Sequence, residues 1–288
     1  MTETSLAYAK INISLDIVSK MTDGYHYLKT VMQTVSLSDE ITIECTPGEG
    51  IEGITVDAGL PYLPGDKRNI AAKAALAFYK HTGIEGYRTH IKIKKNIPVC
   101  AGLGGGSTDG ACVLRMLDKM FKTKLEIKTL EALGKTIGSD VPFSIQGGTK
   151  LAEGRGEILT GLPPIPSCYI VICKPPFSNS TPELFGRIKV EKIRARPDTD
   201  GIIKSLEEGD LDGVAKRMYN VFEDVLTHGE LDITDIKSIM YDNSALGTAM
   251  TGSGPAVFGI FDSKKNAVNA FEQLQANYKD CYLTEAIQ

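Results

Sequence analysis

The run Pro98-Val-Cys-Ala-Gly-Leu-Gly-Gly-Gly-Ser-Thr-Asp-Gly110 places four glycines, Gly102, Gly104, Gly105 and Gly106, within five positions, with Ser107 and Thr108 directly behind them. Ahead of it, residues 87–94 alternate as a strand does, Ile91 and Ile93 opposite Lys92 and Lys94. Behind it, Ala111, Val113, Leu114, Leu117, Met120 and Phe121 recur at helical spacing. The chain must therefore pass from strand to helix through backbone free to take positive φ and to approach a ligand closely. A helix starting near Ser107 adds unpaired N–H donors and the positive end of its dipole, which together hold phosphate. A flexible linker has a similar composition, but linkers are rarely wedged between an apolar strand and an apolar helix.

The run is not a Walker A loop, which needs Lys followed by Ser or Thr after its last glycine; here Ser107 and Thr108 follow Gly106. Nor does it satisfy Gly-x-Gly-x-x-Gly, since counting from Gly102 or Gly104 ends on Ser107 or Asp109. The net charge of −4 and pI near 5.7 argue against a nucleic-acid surface and leave room for a local anion pocket. Six cysteines without a Cys-x-x-Cys pair read as reduced, mostly buried thiols, Cys100 included as a packing residue. The four histidines, His26, His81, His90 and His228, have no metal-ligand spacing with one another. With neither a secretion signal nor an apolar run of membrane length, a soluble, cytoplasmic protein is expected, with no membrane partner.

At 288 residues two domains are the default. Strands are expected at 6–18, 27–37, 40–45, 87–94, 168–173, 256–261 and 282–286, with a strand and turn over 150–159. Helices are expected at 69–81, 107–121, 127–137, 202–207, 211–226, 233–243 and 264–276. Pro163, Pro164 and Pro166 mark a boundary that divides the chain into 1–160 and 161–288. Strands and helices mixed in both halves give an α+β class.

Other constellations carry a structural and a chemical reading side by side. Lys10 and Asn12 share the strand face opposite Ile11, Ile13 and Leu15; they form a solvated face, or an ammonium and amide beside phosphate chemistry. Asp140, in Gly-Ser-Asp-Val-Pro-Phe at 138–143, is a helix cap or a general base. Thr-Gly-Ser-Gly-Pro at 251–255 is a tight turn or a second close backbone approach to a ligand. In Asp-Gly-Tyr-His at 23–26 a turn precedes two side chains, Tyr25 and His26, suited to grip a planar heterocycle or to half-pack on a surface. Glu-Gly-Arg-Gly-Glu at 153–157 reads as a hairpin turn with charged ends.

The glycine run resembles the ATP loop of the galactose, homoserine, mevalonate and phosphomevalonate kinase superfamily. Joined in order to Ala-Lys-Ile-Asn-Ile-Ser-Leu at 9–15, Asp-Gly-Tyr-His, Gly-Ser-Asp-Val-Pro-Phe, Glu-Gly-Arg-Gly-Glu and Met-Thr-Gly-Ser-Gly-Pro at 250–255, it is similar to the 4-diphosphocytidyl-2-C-methyl-D-erythritol kinase family over nearly the whole chain. That resemblance implies a two-domain kinase with its active site in the interdomain cleft. It would pass the γ-phosphate of ATP to the 2-hydroxyl of cytidine-diphosphate-linked methylerythritol, in the non-mevalonate isoprenoid pathway. It implies Asp140 as base, Lys10 as its charged partner, and Asn12 on the erythritol. Gly102, Leu103, Gly104, Gly105, Gly106, Ser107 and Thr108 would wrap the ATP phosphates, with Pro98 also at the nucleotide and Asn69 and Lys95 at adenine. Tyr25, His26, Thr181 and Phe185 would meet the acceptor, the cytosine lying between Tyr25 and Phe185. Mg2+ is implied by ATP, without identified ligands, and the assembly as a monomer or weak homodimer without nucleic acid. Thr108 and Asp109 stand where the family often has Ser then Asn or Asp; the hydroxyl is kept. The competing readings are a superfamily kinase acting on mevalonate or homoserine, whose substrates have no base to stack, and a nucleotide-binding regulator without catalysis.

Overall fold

The computed structural model describes residues 1–48, 53–193, 195–227 and 229–288, so that His228 lies outside the described residues. The chain forms two compact units, each assembled from separated segments. The first takes Met1–Ala9, Ser38–Val99 and Gly104–Gln146; the second takes Lys10–Leu37, Cys100–Leu103 and Gly147–Gln288. The expected split between 160 and 161 is therefore not where the compact units divide. The reason is that two long strands, β1 (Thr2–Lys20) and β2 (His26–Pro47), run through both units, β2 being continuous where two strands were expected.

In the first unit the end of β2 pairs antiparallel with β4 (Tyr87–Lys94), Ile41 opposite Ile93 and Ile43 opposite Ile91. A short strand the sequence had not signalled, β3 (Ile54–Asp57), pairs parallel with β4. Alternation in β4 does what its pattern dictates: Thr89, Ile91 and Ile93 are buried, and Arg88, His90, Lys92 and Lys94 are exposed. Over the buried face lie α1 (Ile70–Thr82) and α2 (Gly105–Phe121), packed through Ala71, Ala75, Phe78, Val113, Leu114 and Leu117. Next come α3 (Ile127–Lys135) and α4 (Val141–Gln146), the latter an apolar segment with no expected helix. Arg115 of α2 donates to the carbonyls of Ser144 (2.6 Å) and Ile145 (3.1 Å), satisfying the end of α4.

In the second unit, β2 pairs with β5 (Thr149–Gly154), which turns back into β6 (Ile158–Gly161) through the expected hairpin at 153–157. A four-stranded antiparallel sheet has the order β11 (Asp280–Glu285), β7 (Tyr169–Lys174), β10 (Val257–Phe261), β9 (Gly247–Met250). Helices α5 (Thr181–Arg187), α6 (Thr199–Glu208), α7 (Leu211–Ala215), α8 (Glu230–Asp242) and α9 (Lys264–Gln275) complete it. Of the helix expected over 211–226 only the start forms, as α7. After α7 the chain extends as β8 (Tyr219–Asn220) to pair parallel with Ser14 and Leu15, then makes a 3-10 turn at Val221–Val225. Asn220 forces the break: its amide donates to the carbonyls of Met250 (2.7 Å) and Gly252 (2.8 Å), while its Oδ1 accepts from the Phe222 N–H (3.0 Å).

Candidate active-site elements

The start of α2 is built by glycine geometry. Gly104 holds φ 71° and ψ 15° as the N-cap, and Thr108 N–H is the first to reach back, to the Gly104 carbonyl at 2.9 Å. The N–H groups of Gly105, Gly106 and Ser107 thus precede the intrahelical ladder. Beneath them the helix is packed closely: a β-carbon on Gly106 would meet Ile70 at 3.2 Å, and one on Gly110 the same side chain at 2.8 Å. Thr108 is placed differently from its expected role. It is 2% exposed and its hydroxyl donates to the Tyr8 carbonyl at 2.7 Å, so its polar atoms are spent inside the protein. Ser107 is half-buried, and a β-carbon on Gly138 would lie 3.9 Å from its Oγ; the Gly-Ser-Asp segment therefore comes beside the start of α2. There the half-buried Asp140 precedes α4, its carbonyl accepting from the Ser144 N–H at 3.0 Å and the Ser144 hydroxyl at 3.1 Å.

Asn69 and Lys95, expected at adenine, both have structural partners. Asn69 caps α1, its Oδ1 accepting from the Ala71 N–H and its Nδ2 donating to the Pro64 carbonyl, each at 2.9 Å. Lys95 follows β4 and puts its ammonium between two carboxylates, Asp39 Oδ2 at 2.5 Å and Asp109 Oδ2 at 2.9 Å. Burial alone would lower the Lys95 pKa, but Asp109 and Asp39 more than offset it and hold it above the usual lysine value. Burial pushes Asp109 up to about 7, Lys95 opposing and Asp39 adding to it. Pro98 is half-buried in the turn that follows.

In the second unit Lys10 and Asn12 are not a solvated face: they are 5% and 3% exposed. Lys10 Nζ donates to Asn12 Oδ1 at 2.6 Å. Asn12 Nδ2 donates to Thr30 Oγ1 at 2.8 Å, and that hydroxyl donates on to the Ser14 carbonyl at 2.5 Å. The Asn12 N–H donates to Thr251 Oγ1 at 3.0 Å, and the Thr251 hydroxyl faces both Asn12 Oδ1 (3.3 Å) and the Gly102 carbonyl (3.2 Å). Leu103, 1% exposed, gives its carbonyl to the Lys10 N–H at 3.0 Å. Gly102 has φ 78°, and a β-carbon there would lie 2.0 Å from the Thr251 carbonyl oxygen. Residues 251–255 form the tight turn, the Gly254 N–H donating to the Thr251 carbonyl at 2.8 Å, and that turn packs on Gly102 of the glycine run. Cys100 is exposed with φ 54° rather than packed, because the turn into Ala101 swings it outward. Thr30 and Asn220 carried no motif signal, and Thr251 stood in the 251–255 motif without a role of its own; only a polar residue inside an apolar strand pattern could have flagged Thr30.

His26 is 8% exposed and stacks on Phe185, ring centroids 5.2 Å apart and planes 27° from parallel; Phe185 meets Phe222 edge-on at 4.9 Å. Burial, with the Lys20 charge added, holds the His26 pKa below its ordinary 6.5. Tyr25 is not brought against Phe185. It is 56% exposed with the Arg155 guanidinium 3.8 Å over its ring, and Arg155 also pairs with Asp23. Thr181 is exposed at the start of α5, its Oγ1 2.7 Å from Ser253 Oγ.

Residues 69–148 match the family described as GHMP kinases N terminal domain, and residues 202–280 match GHMP kinases C terminal. A Clostridium perfringens protein named 4-diphosphocytidyl-2-C-methyl-D-erythritol kinase is 44% identical over 283 residues, covering 98% of this chain and 97% of its own. The chain belongs to that kinase family. A crystal structure of a 4-(cytidine 5'-diphospho)-2C-methyl-D-erythritol kinase superposes with a TM-score of 0.84 at 29% identity, covering 99% of this chain and all of that one. A homoserine kinase from Cytophaga hutchinsonii shares the fold, with a TM-score of 0.77 at 18% identity over 99% of this chain and 94% of its own. Both kinase-family matches support the α+β two-domain kinase class expected from sequence. Among the described residues no helix is long and apolar enough to cross a membrane.

Proposed function

We propose that this kinase transfers the γ-phosphate of ATP to the 2-hydroxyl of 4-(cytidine 5'-diphospho)-2-C-methyl-D-erythritol, a step of the non-mevalonate isoprenoid pathway. The observation that carries the reading is full-length likeness to relatives of that name, joined to a glycine-built helix start at Gly104. The acceptor's 2-hydroxyl oxygen attacks the γ-phosphorus, the bond to the β–γ bridging oxygen breaks, and Asp140 takes the hydroxyl proton as ADP leaves. The N–H groups of Gly105, Gly106 and Ser107 donate to phosphate oxygens, and the cradle ends there because the Thr108 N–H is committed to the Gly104 carbonyl and its hydroxyl to the Tyr8 carbonyl.

Lys10 supplies fixed positive charge to the reacting groups, held in place by Asn12. Asn12 keeps the acceptor's erythritol part in register through the Thr30 and Thr251 contacts. Phe185, braced by its contact with His26, forms one wall for cytosine, and His26, neutral at pH 7, reads its polar edge. Tyr25 supplies the opposite ring. Among the described residues no three His, Cys, Asp or Glu side chains are grouped as a metal site. Mg2+ bound together with ATP would offset negative charge on the phosphates. Phosphorus NMR of the product formed from ATP and the cytidine-linked acceptor tests the reading. A new phosphomonoester resonance with ADP supports it, and turnover only with mevalonate or homoserine overturns it.

A further inference from the structure

The cluster of Asp39, Lys95 and Asp109 has no part in the chemistry above, yet it lies directly under the helix start that receives phosphate. A β-carbon on Gly105 would sit 3.3 Å from Lys95 Nζ. Asp39 is spent: Oδ2 accepts from Lys95, and Oδ1 accepts from the N–H groups of Asn96 (2.6 Å) and Ile97 (2.8 Å). Its side chain is fully buried. Asp109 is not spent. Its side chain is 6% exposed, Oδ2 accepts from Lys95, and Oδ1 is buried without a hydrogen-bond partner. An ionised carboxylate with a bare buried oxygen is costly, and more so beside a second carboxylate. One ammonium against two carboxylates leaves the cluster one negative charge in excess, a single turn of helix from where ATP phosphates bind.

We propose that Asp109 is a proton-linked positioning residue for the nucleotide, carrying a proton on Oδ1 while ATP occupies the helix start and releasing it to solvent when ATP leaves. The proposal rests on the reading of Gly105 to Ser107 as the phosphate cradle. Protonation removes the excess charge under the phosphates and leaves Lys95 paired with Asp39, so the first turn of α2 stays braced. The charged groups facing Asp109 are Lys95, after β4, and Asp39, in β2; the adjoining face of α1 presents Ile70 and Ala74 to Gly110 and is apolar. Cys112 on α2 feels the Asp109 charge, which helps to keep its thiol protonated, though burial is the larger cause. The raised Asp109 pKa, near 7, puts the exchange in the working range. ATP phosphates push it higher, so binding draws in a proton and weakens as pH rises.

The test is calorimetric titration of ATP with magnesium chloride, without acceptor, into the wild type and D109N from pH 6 to 8.5, in buffers of differing ionisation heat. Asn matches the protonated acid in shape and charge. The wild type is expected to take up about half a proton more per ATP than D109N near pH 7.5. Its affinity should fall about three- to tenfold relative to D109N between pH 6.5 and 8.5, the two converging at low pH. Equal proton uptake and parallel pH dependence would overturn the proposal and leave the cradle standing; no ATP binding at any pH would overturn both. Should D109N melt much below the wild type, the wild type decides alone, zero proton uptake being the overturning result.

Discussion

The glycine run and the Asp23–His26 turn both rely on positive-φ glycines, but what surrounds those glycines differs. At Gly102, φ 78°, the place of a β-carbon is already filled by the Thr251 carbonyl oxygen. At Gly24, φ 89°, nothing lies within 4 Å of that place. The first is a position where two backbones touch; the second is only a turn. The same contrast holds for the functional groups. In the proposed reading, phosphate would meet backbone N–H donors over a buried ion cluster, whereas the base would meet side chains, one of them a ring 56% exposed under a surface arginine. A backbone site can be altered only by disturbing the fold, and a side-chain site can be altered with the fold intact.

The largest effect should come from Asp140, the proposed base, whose segment lies beside the start of α2. Asp140→Asn is expected to lower kcat by about a hundredfold to ten-thousandfold, the scale of a lost general base, with ATP affinity and melting temperature nearly unchanged. Single-turnover kinetics with calorimetric ATP binding checks this; near-normal turnover would leave Asp140 as no more than the residue that precedes α4.

The paired glycines come next. Gly102→Ala should destabilise the protein by about 2–3 kcal/mol or more, adding a backbone clash to the left-handed penalty, while Gly24→Ala should cost about 1 kcal/mol. Urea unfolding of both variants gives the two numbers, and equal values would erase the distinction between a contact and a turn.

How far each region was legible follows from the same contrast. Backbone approach demands glycine, so the run at 102–106 announced itself, as did the strict alternation of β4 that leads into it. Long-range side-chain networks leave no local trace. Asn12 and Thr251 meet across 239 positions, and Lys95 reaches Asp39 across 56. The helix expected at 211–226 stopped short because Leu211, Val214, Met218, Val221 and Phe222 keep a helical period while Asn220 bonds carbonyls some thirty residues away. Asn69 and Thr108 fitted a ligand motif by position, yet a local cap and a distant carbonyl hold their polar atoms. The stack of Phe185 on His26 joins residues far apart in sequence, and seeing it needed three dimensions.

Tyr25 probes the side-chain region at intermediate size. Tyr25→Ala should raise the acceptor KM about tenfold, from loss of one base stack worth about 1–3 kcal/mol in comparable sites, with ATP parameters little changed. Steady-state kinetics with each substrate varied separately decides it. An equal rise in both KM values would mean that the ring, with Arg155 and Asp23, only braces the turn.

The smallest effect is expected at His26, and pH reads it without a mutation. Its folded pKa lies below 6.5, so the imidazole is neutral at pH 7 and gains its proton only in more acid solution. The unfolded chain takes up that proton first, at about pH 6.5, and the folded protein below that. Stability linked to His26 is therefore complete above pH 6.5 and is lost as pH falls below 6.5. A neutral ring can offer one nitrogen as acceptor to the amino group of cytosine, and imidazolium cannot. Acceptor KM should therefore rise a few-fold as pH is lowered through the folded pKa, in parallel with the loss of preference for cytidine over uridine diphosphate acceptors. His26→Gln keeps an acceptor and a donor but has no proton to gain, so its KM should be higher at pH 7.5 and flat with pH. Acceptor kinetics from pH 5 to 8 in both proteins checks the slope. A wild-type KM as flat as that of H26Q would leave His26 as the packing partner of Phe185 and place base recognition elsewhere.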